Sequence, residues 1–145
     1  FLISLMIIDE TDNSEYFLYK FNISNEDKKR IRFLSNIFSK LLDKNTFSEK
    51  NLWKILYYNN NNFLNDLINF QMYRSKKIGK KLLELKEFFN NQIPPKFNVK
   101  AKSLMDKFNL KEGKELGQKL KEIELVWINN SFKVTEKQIE KIVKS

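Results

Sequence analysis

The stretch Ser24-Asn25-Glu26-Asp27-Lys28-Lys29-Arg30-Ile31-Arg32-Phe33-Leu34-Ser35-Asn36-Ile37-Phe38 decides the fold class. Its first four residues read as a helix start, with the Ser24 hydroxyl placed to cap backbone amides and Asp27 close to the N3 position of a capping box. Ile31, Leu34, Phe38, Leu41 and Leu42 then recur at the three-and-four spacing of one buried helical face. About five turns are expected. Downstream, Thr46-Phe47-Ser48-Glu49 reads as a second capping box, and Leu52, Ile55 and Leu56 continue a stripe that the four asparagines at 59–62 interrupt. Phe63, Leu67, Phe70 and Met72 form a third face. Ile78, Leu82, Leu85 and Phe89 form a fourth, which ends before Pro94-Pro95 because proline cannot continue a helix.

Working outward from those four helices, Phe97 and Val99 look like an extended lead into a helix near Ser103 to Phe108. A longer helix is expected from Gly113 to Trp127, and a last one from Thr135 to Lys144 with Thr135 as N-cap and Ile139, Ile142 and Val143 inward. Upstream, Tyr16, Leu18 and Lys20 alternate with Phe17, Tyr19 and Phe21 without a clean polar face, so residues 9–22 are expected to be loop. The apolar run Phe1 to Ile8 is too short to cross a bilayer and lacks the basic flank of a secretory signal. No membrane segment is expected. A chain that opens on Phe reads as a fragment whose first residues continue an upstream helix.

The 145 residues are 41% apolar and 14% aromatic, enough for one core or for two small helical units. Three glycines and two prolines leave few tight turns, which favours helices over sheets. The expected architecture is all-α, a multi-helix body over residues 1–93 followed by a small helical tail over 94–145. Cys and His are absent, which removes disulfides, thiolate nucleophiles, imidazole bases and the usual zinc sites. The missing cysteines fit a reducing cytoplasm. Trp53, Trp127 and most of the thirteen phenylalanines sit at helical spacing and read as core.

The net charge of +9 is placed unevenly. Residues 1–73 carry nine basic and nine acidic side chains, whereas residues 74–145 carry eighteen and nine. Arg74, Lys76, Lys77, Lys80, Lys81, Lys86, Lys96, Lys100 and Lys102 crowd one window that holds only Glu84 and Glu87 as acids. Such a window suits a polyanion. Lys76, Lys77, Lys80 and Lys81 flank Ile78 and Leu82, so one helix would project two paired rows of ammonium groups; a solvated helix face is the competing reading. Gly113 and Gly117 open the helix after the window, where glycine lets a backbone approach closely and leaves amides facing an incoming phosphate. A tight turn and helix packing would explain them equally well.

Phe97-Asn98-Val99-Lys100-Ala101-Lys102-Ser103-Leu104, followed by Leu110-Lys111-Glu112-Gly113-Lys114-Glu115-Leu116-Gly117-Gln118-Lys119-Leu120, resembles the tail motif of bacterial tRNA nucleotidyltransferases and poly(A) polymerases. In that family F-P-[apolar]-x-G-x-D-L precedes [apolar]-x-x-G-P-x-[apolar]-G-x-x-L, and Phe97, Val99, Leu104, Leu110, Gly113, Leu116, Gly117 and Leu120 fall in step. Asn98 stands where the family has Pro, Ala101 where it has Gly, Ser103 where it has Asp, and Lys114 where it has Pro. Ile23-Ser24-Asn25-Glu26 through Arg30-Ile31 is similar to the family's Leu-Ser-Asn turn into a helix. Glu26-Asp27-Lys28-Lys29-Arg30 also fits the family's nucleotide-reading E-D-x-x-R string, but it lies too close to the tail motif, and acids at a helix start complement the dipole in any case.

The resemblance implies a body and tail that hold a tRNA or other RNA by shape and phosphate charge for a catalytic head domain absent from this chain. Taken with the basic window and the glycine-opened helix, it leaves Arg74, Lys76, Lys77, Lys80, Lys81, Lys96, Lys100, Lys102, Gly113, Lys114 and Gly117 as the RNA-binding candidates. The parent enzyme would add C and A to tRNA, or polyadenylate RNA, using CTP, ATP and Mg²⁺. No catalytic or metal-binding residue is expected here, since the chain has no Gly-Gly pair and no Asp-x-Asp to hold two metal ions. The alternative is a structural or protein-interaction module whose basic half docks an acidic partner.

Overall fold

The computed structural model describes residues 2–9, 11, 13–39, 45–75 and 79–145, and among these it contains nine α-helices and no β-strand. The chain is all-α. It divides into two compact units, Phe1–Pro94 and Pro95–Ser145, and each has its own core.

The first unit holds α1 (Leu2–Ile7), α2 (Asn13–Lys20), α3 (Asn25–Ser39), α4 (Glu49–Asn59), α5 (Asn61–Arg74) and α6 (Lys80–Asn90). Six described helices therefore precede the prolines, two more than the apolar stripes predict. The expectation of loop across residues 9–22 is corrected by α2. Its inward positions are Ser14 and Leu18, four residues apart and both buried, and a buried serine gives no apolar signal. Ser14 meets Ser35 of α3, Oγ to Oγ at 3.2 Å, and Arg32 of α3 donates two hydrogen bonds to the Glu15 carboxylate at 2.9 and 3.0 Å. Helix α2 is held by a neighbour rather than by its own periodicity, since two turns alone are marginal in water.

The cap of α3 forms as its sequence suggests. The Asp27 amide donates to Ser24 Oγ at 3.1 Å, and that hydroxyl donates to Asp27 Oδ2 at 2.7 Å. Ile31 and Leu34 are buried and Phe38 packs against the core, while Leu41 and Leu42 lie outside the described residues. The second cap is shifted. Ser48, not Thr46, is the N-cap of α4, with its Oγ accepting from the Asn51 amide. Within the asparagine run a single residue, Asn60, separates α4 from α5, at φ 105° and ψ 177°. That conformation is natural only to glycine. Two hydrogen bonds hold it: the Asn60 amide donates to the Leu56 carbonyl at 3.2 Å, and the Asn60 side chain accepts from the Asn62 amide at 2.9 Å.

Helix α5 is the axis of the unit, packing against α3, α4 and α6. Phe63, Leu64, Leu67, Ile68 and Phe70 are all buried on it. Leu34, Leu52 and Leu56 close around them, and each such side chain contributes about 1.5–3 kcal/mol by leaving water. One polar tie crosses this core. Arg30 of α3 grips Asp66 of α5 through Nε to Oδ2 at 2.7 Å and Nη2 to Oδ1 at 2.9 Å, and Asp66 is only 6% exposed.

The second unit holds α7 (Ala101–Phe108), α8 (Lys114–Asn129) and α9 (Glu136–Lys144). Leu104, Leu116 and Ile123 form its buried centre, covered by Phe97, Val99, Ile139, Ile142 and Val143 among others. Thr135 caps α9 as expected, in a reciprocal box where its Oγ1 accepts from the Gln138 amide and the Gln138 side chain accepts from the Thr135 amide at 2.9 Å. Trp127 packs between Phe97 and Phe132, at centroid distances of 5.3 and 4.9 Å. To reach it the chain turns back through left-handed Ser131 and Phe132, and the Phe132 amide donates to the Trp127 carbonyl at 2.8 Å.

Candidate nucleic-acid interface

The basic window does not fall within one unit. Arg74, Lys80 and Lys81 belong to the first, and Lys96, Lys100, Lys102, Gly113, Lys114 and Gly117 to the second. Lys76 and Lys77 lie outside the described residues, as does Ile78. Helix α6 begins at Lys80 behind Gly79 as N-cap, so Lys80 and Lys81 form a first-turn pair and Lys86, partly buried, follows in a later turn. No acid stands in that turn, and two cations there oppose the helix dipole. Glu84 relieves one of them, 3.7 Å from Lys80. Arg74 ends α5 with its guanidinium 5.8 Å from the Phe38 ring and 5.9 Å from the Phe70 ring, so part of its role is to cover aromatic core.

In the second unit the candidates are more open. Lys96, Lys100 and Lys102 are exposed, and none has an ion-pair partner among the described residues. Lys100 is the N-cap of α7, and Lys102 lies in its first turn. Gly113 is the N-cap of α8 at φ 154°, a conformation L side chains rarely adopt, and it is exposed. Its requirement is therefore the turn. Gly117 is exposed with nothing within 4 Å of where a Cβ would sit, so close packing does not explain it. Its amide is also taken, donating to the Gly113 carbonyl at 3.2 Å. The open amides of α8 are those of Lys114, Glu115 and Leu116, the first turn after the cap. The acids Glu112 and Glu115 are exposed around that turn, and they complement the dipole that a phosphate would otherwise use. Among the described candidates, Lys96, Lys100 and Lys102 are thus exposed cations with no ion-pair partner, whereas the glycine turn is flanked by acids.

A groove of about 190 Å³, which no sequence pattern announces, runs between the 98–100 lead, α7 and the start of α9. Val99, Leu104, Phe108 and Ile139 give it an apolar lining, and Asn98, Lys100, Ser103, Lys107 and Glu136 add polar groups. Lys107 and Glu136 pair with each other at 2.7 Å, which leaves Lys100 as the uncompensated charge.

Elsewhere the ionisable groups serve structure. Hydrogen bonds from Arg32 and Lys144 hold the Glu15 and Glu140 carboxyls below their ordinary range, and Thr11 does the same for Asp9. Arg30 is tied to Asp66 and Asp27 to Ser24, so two residues of the Glu26 to Arg30 string are engaged within the fold. Among the described residues no three His, Cys, Asp or Glu side chains gather as metal ligands, and the donor set does not fit the paired carboxylates that a nucleotidyl-transfer metal site needs. No described helix is long and apolar enough to cross a membrane. No protein-family model, curated protein or solved structure matches this chain.

Proposed function

We propose that this chain is an RNA-gripping, non-catalytic helical segment, the body and tail of a tRNA nucleotidyltransferase or poly(A) polymerase whose head domain carries the chemistry. The observation that carries the reading is the group Lys96, Lys100 and Lys102, exposed and without carboxylate partners among the described residues, at and before the opening of α7. Unpaired ammonium groups release the counterions of a phosphate backbone when they dock on it, a term that is favourable and independent of sequence. Lys114 adds a charge beside the exposed Gly113 turn, and Lys80 and Lys81 do so in the first unit. The resemblance of Phe97 to Leu120 to the tail motif supplies the parent activity: CCA addition or polyadenylation with ATP, CTP and Mg²⁺ in the head, in the cytoplasm.

The test is a salt titration of tRNA binding to the purified chain. The log of affinity should fall linearly with the log of salt concentration. Absence of binding even at low salt rejects the reading.

A protein-docking module is the second reading, and a specific observation favours it. Leu2, Met6, Tyr16 and Tyr19 of α1 and α2 are exposed, with Tyr19 at 90%. Scattered surface apolar residues are ordinary, whereas several on neighbouring helices suit a protein partner. Pull-down of a partner that survives high salt and needs Met6 and Tyr19 would support this reading over the first.

A further inference from the structure

We infer that the groove beside α7 receives a single unpaired nucleobase, whose flanking phosphate lies on Lys100. The inference rests on the RNA reading above and deepens it by naming the feature recognised there: a strand with at least one unstacked base, in addition to backbone charge. Three observations carry it. First, the volume of about 190 Å³ is below the range typical of drug-sized ligand sites, and it suits one ring system better than the side-chain row of a docked helix. Second, its lining is apolar where a flat ring needs cover, from Val99, Phe108 and Ile139, with Phe108 half-buried and so able to present ring surface. Base-on-aromatic contact of this kind is sequence-tolerant because every base has a π-face. Third, the edge is polar and open to solvent. Asn98 and Ser103 are exposed and have no hydrogen-bond partner within the protein among the described residues.

The third point separates a base from the other occupant that charge complementarity allows, an acidic peptide inserting an aliphatic side chain. An aliphatic group in the groove would cover the Asn98 amide and the Ser103 hydroxyl without hydrogen-bonding to them, which is costly. A base edge carries donors and acceptors for both. The net positive charge at the rim comes from Lys100, since Lys107 is neutralised by Glu136 at 2.7 Å, and Lys96 and Lys102 lie within four residues of Lys100. A phosphate attached to the inserted nucleotide meets that charge without breaking the Lys107–Glu136 pair.

The test compares two strands of equal length and equal charge: a single-stranded DNA oligonucleotide, and its counterpart built wholly from abasic tetrahydrofuran units. Fluorescence anisotropy with the full chain at fixed salt should show the base-bearing strand binding about tenfold tighter, the scale of one base–aromatic contact. Ser103→Tyr fills the groove from an exposed helical position and should bring the two strands to equal affinity, with circular dichroism confirming that the helices remain. If the unaltered protein binds both strands equally while tRNA still binds with steep salt dependence, the groove is overturned and the charge-based reading stands. If neither strand nor tRNA binds, both fall together. A base preference that survives Ser103→Tyr in a folded variant puts the stacking elsewhere and overturns the groove, as does a glutamate-rich, leucine-bearing peptide that binds where the oligonucleotide does not.

Discussion

Where the first unit ties Arg30 to Asp66 and Arg32 to Glu15 through two hydrogen bonds each, the second leaves Lys96, Lys100 and Lys102 facing solvent with no carboxylate partner among the described residues. The difference is not simply one of charge density. Residues 1–94 carry 15 basic and 11 acidic side chains, and residues 95–145 carry 12 and 7. What differs is residue type and engagement. Arginines, with planar forks that match carboxylates, join helices in the body, whereas the tail has lysines only, point charges on flexible stems that suit a diffuse anionic surface. The hydrophobic cores differ in the same sense: α5 is surrounded on several sides in the body, and the tail buries a short row on α7 and α8. The body's two helix-bridging arginines are engaged between helices, and Lys96, Lys100 and Lys102 of the tail have no such tie among the described residues.

The sharpest way to break this comparison is to remove one cation from each unit. Arg30→Met leaves the Asp66 carboxylate buried without its partner and should cost the body about 3 kcal/mol, the scale for stranding one member of a buried pair. Lys107→Met in the tail breaks the Lys107–Glu136 pair, whose side chains are 59% and 84% exposed, and should cost at most about 1 kcal/mol. Urea unfolding of both variants gives the two numbers. Equal losses would mean that the body's ion pairs are no more structural than those of the tail.

Next in size is the binding counterpart. Replacing Lys96, Lys100 and Lys102 together by Gln should reduce the salt slope of RNA affinity by roughly 2, one counterion or slightly less for each phosphate that is no longer neutralised. Because all three are exposed and have no ion-pair partner among the described residues, the melting temperature should hardly move. The matching body variant, Lys80→Gln with Lys81→Gln, should have a smaller effect on the slope, since Lys80 already faces Glu84 at 3.7 Å. A larger effect from the body pair would transfer the interface to α6.

The all-α class and most helix faces were legible because they depend on local periodicity: Ile31 and Leu34, Leu52 and Leu56, or Phe63 and Leu67 each announce a buried stripe. Caps were legible where the residues were right, at Ser24 and Thr135, and misplaced by two residues where Thr46 and Ser48 competed for one role. Helix α2 was hidden because it is held by Ser35 and Arg32 from another helix, and such contacts have no signature in residues 13–20. Of the candidate site, the sequence displayed the lysines but not their surroundings. It could not show that the Gly117 amide is already bonded, that Glu112 and Glu115 flank the Gly113 turn in the open, or that Ser103 and Ile139, far apart in the chain, line one groove.

The two glycines of α8 offer the finest test, because fold and function ask opposite things of them. Gly113→Ala puts a side chain at φ 154° and should destabilise the tail by roughly 1–2 kcal/mol whatever the tail binds. Gly117→Ala meets open space within 4 Å and lies inside a helix, where alanine is preferred, so thermal unfolding should show the tail stabilised by about 0.5–1 kcal/mol. On packing and propensity alone Gly117 is a poor choice, and the proposed RNA contact expects a phosphate backbone to come closer there than a methyl group allows. Gly117→Ala should then weaken tRNA binding while raising the melting temperature. A variant that is more stable and binds tRNA unchanged leaves the three lysines as the working surface and removes the glycine turn from it.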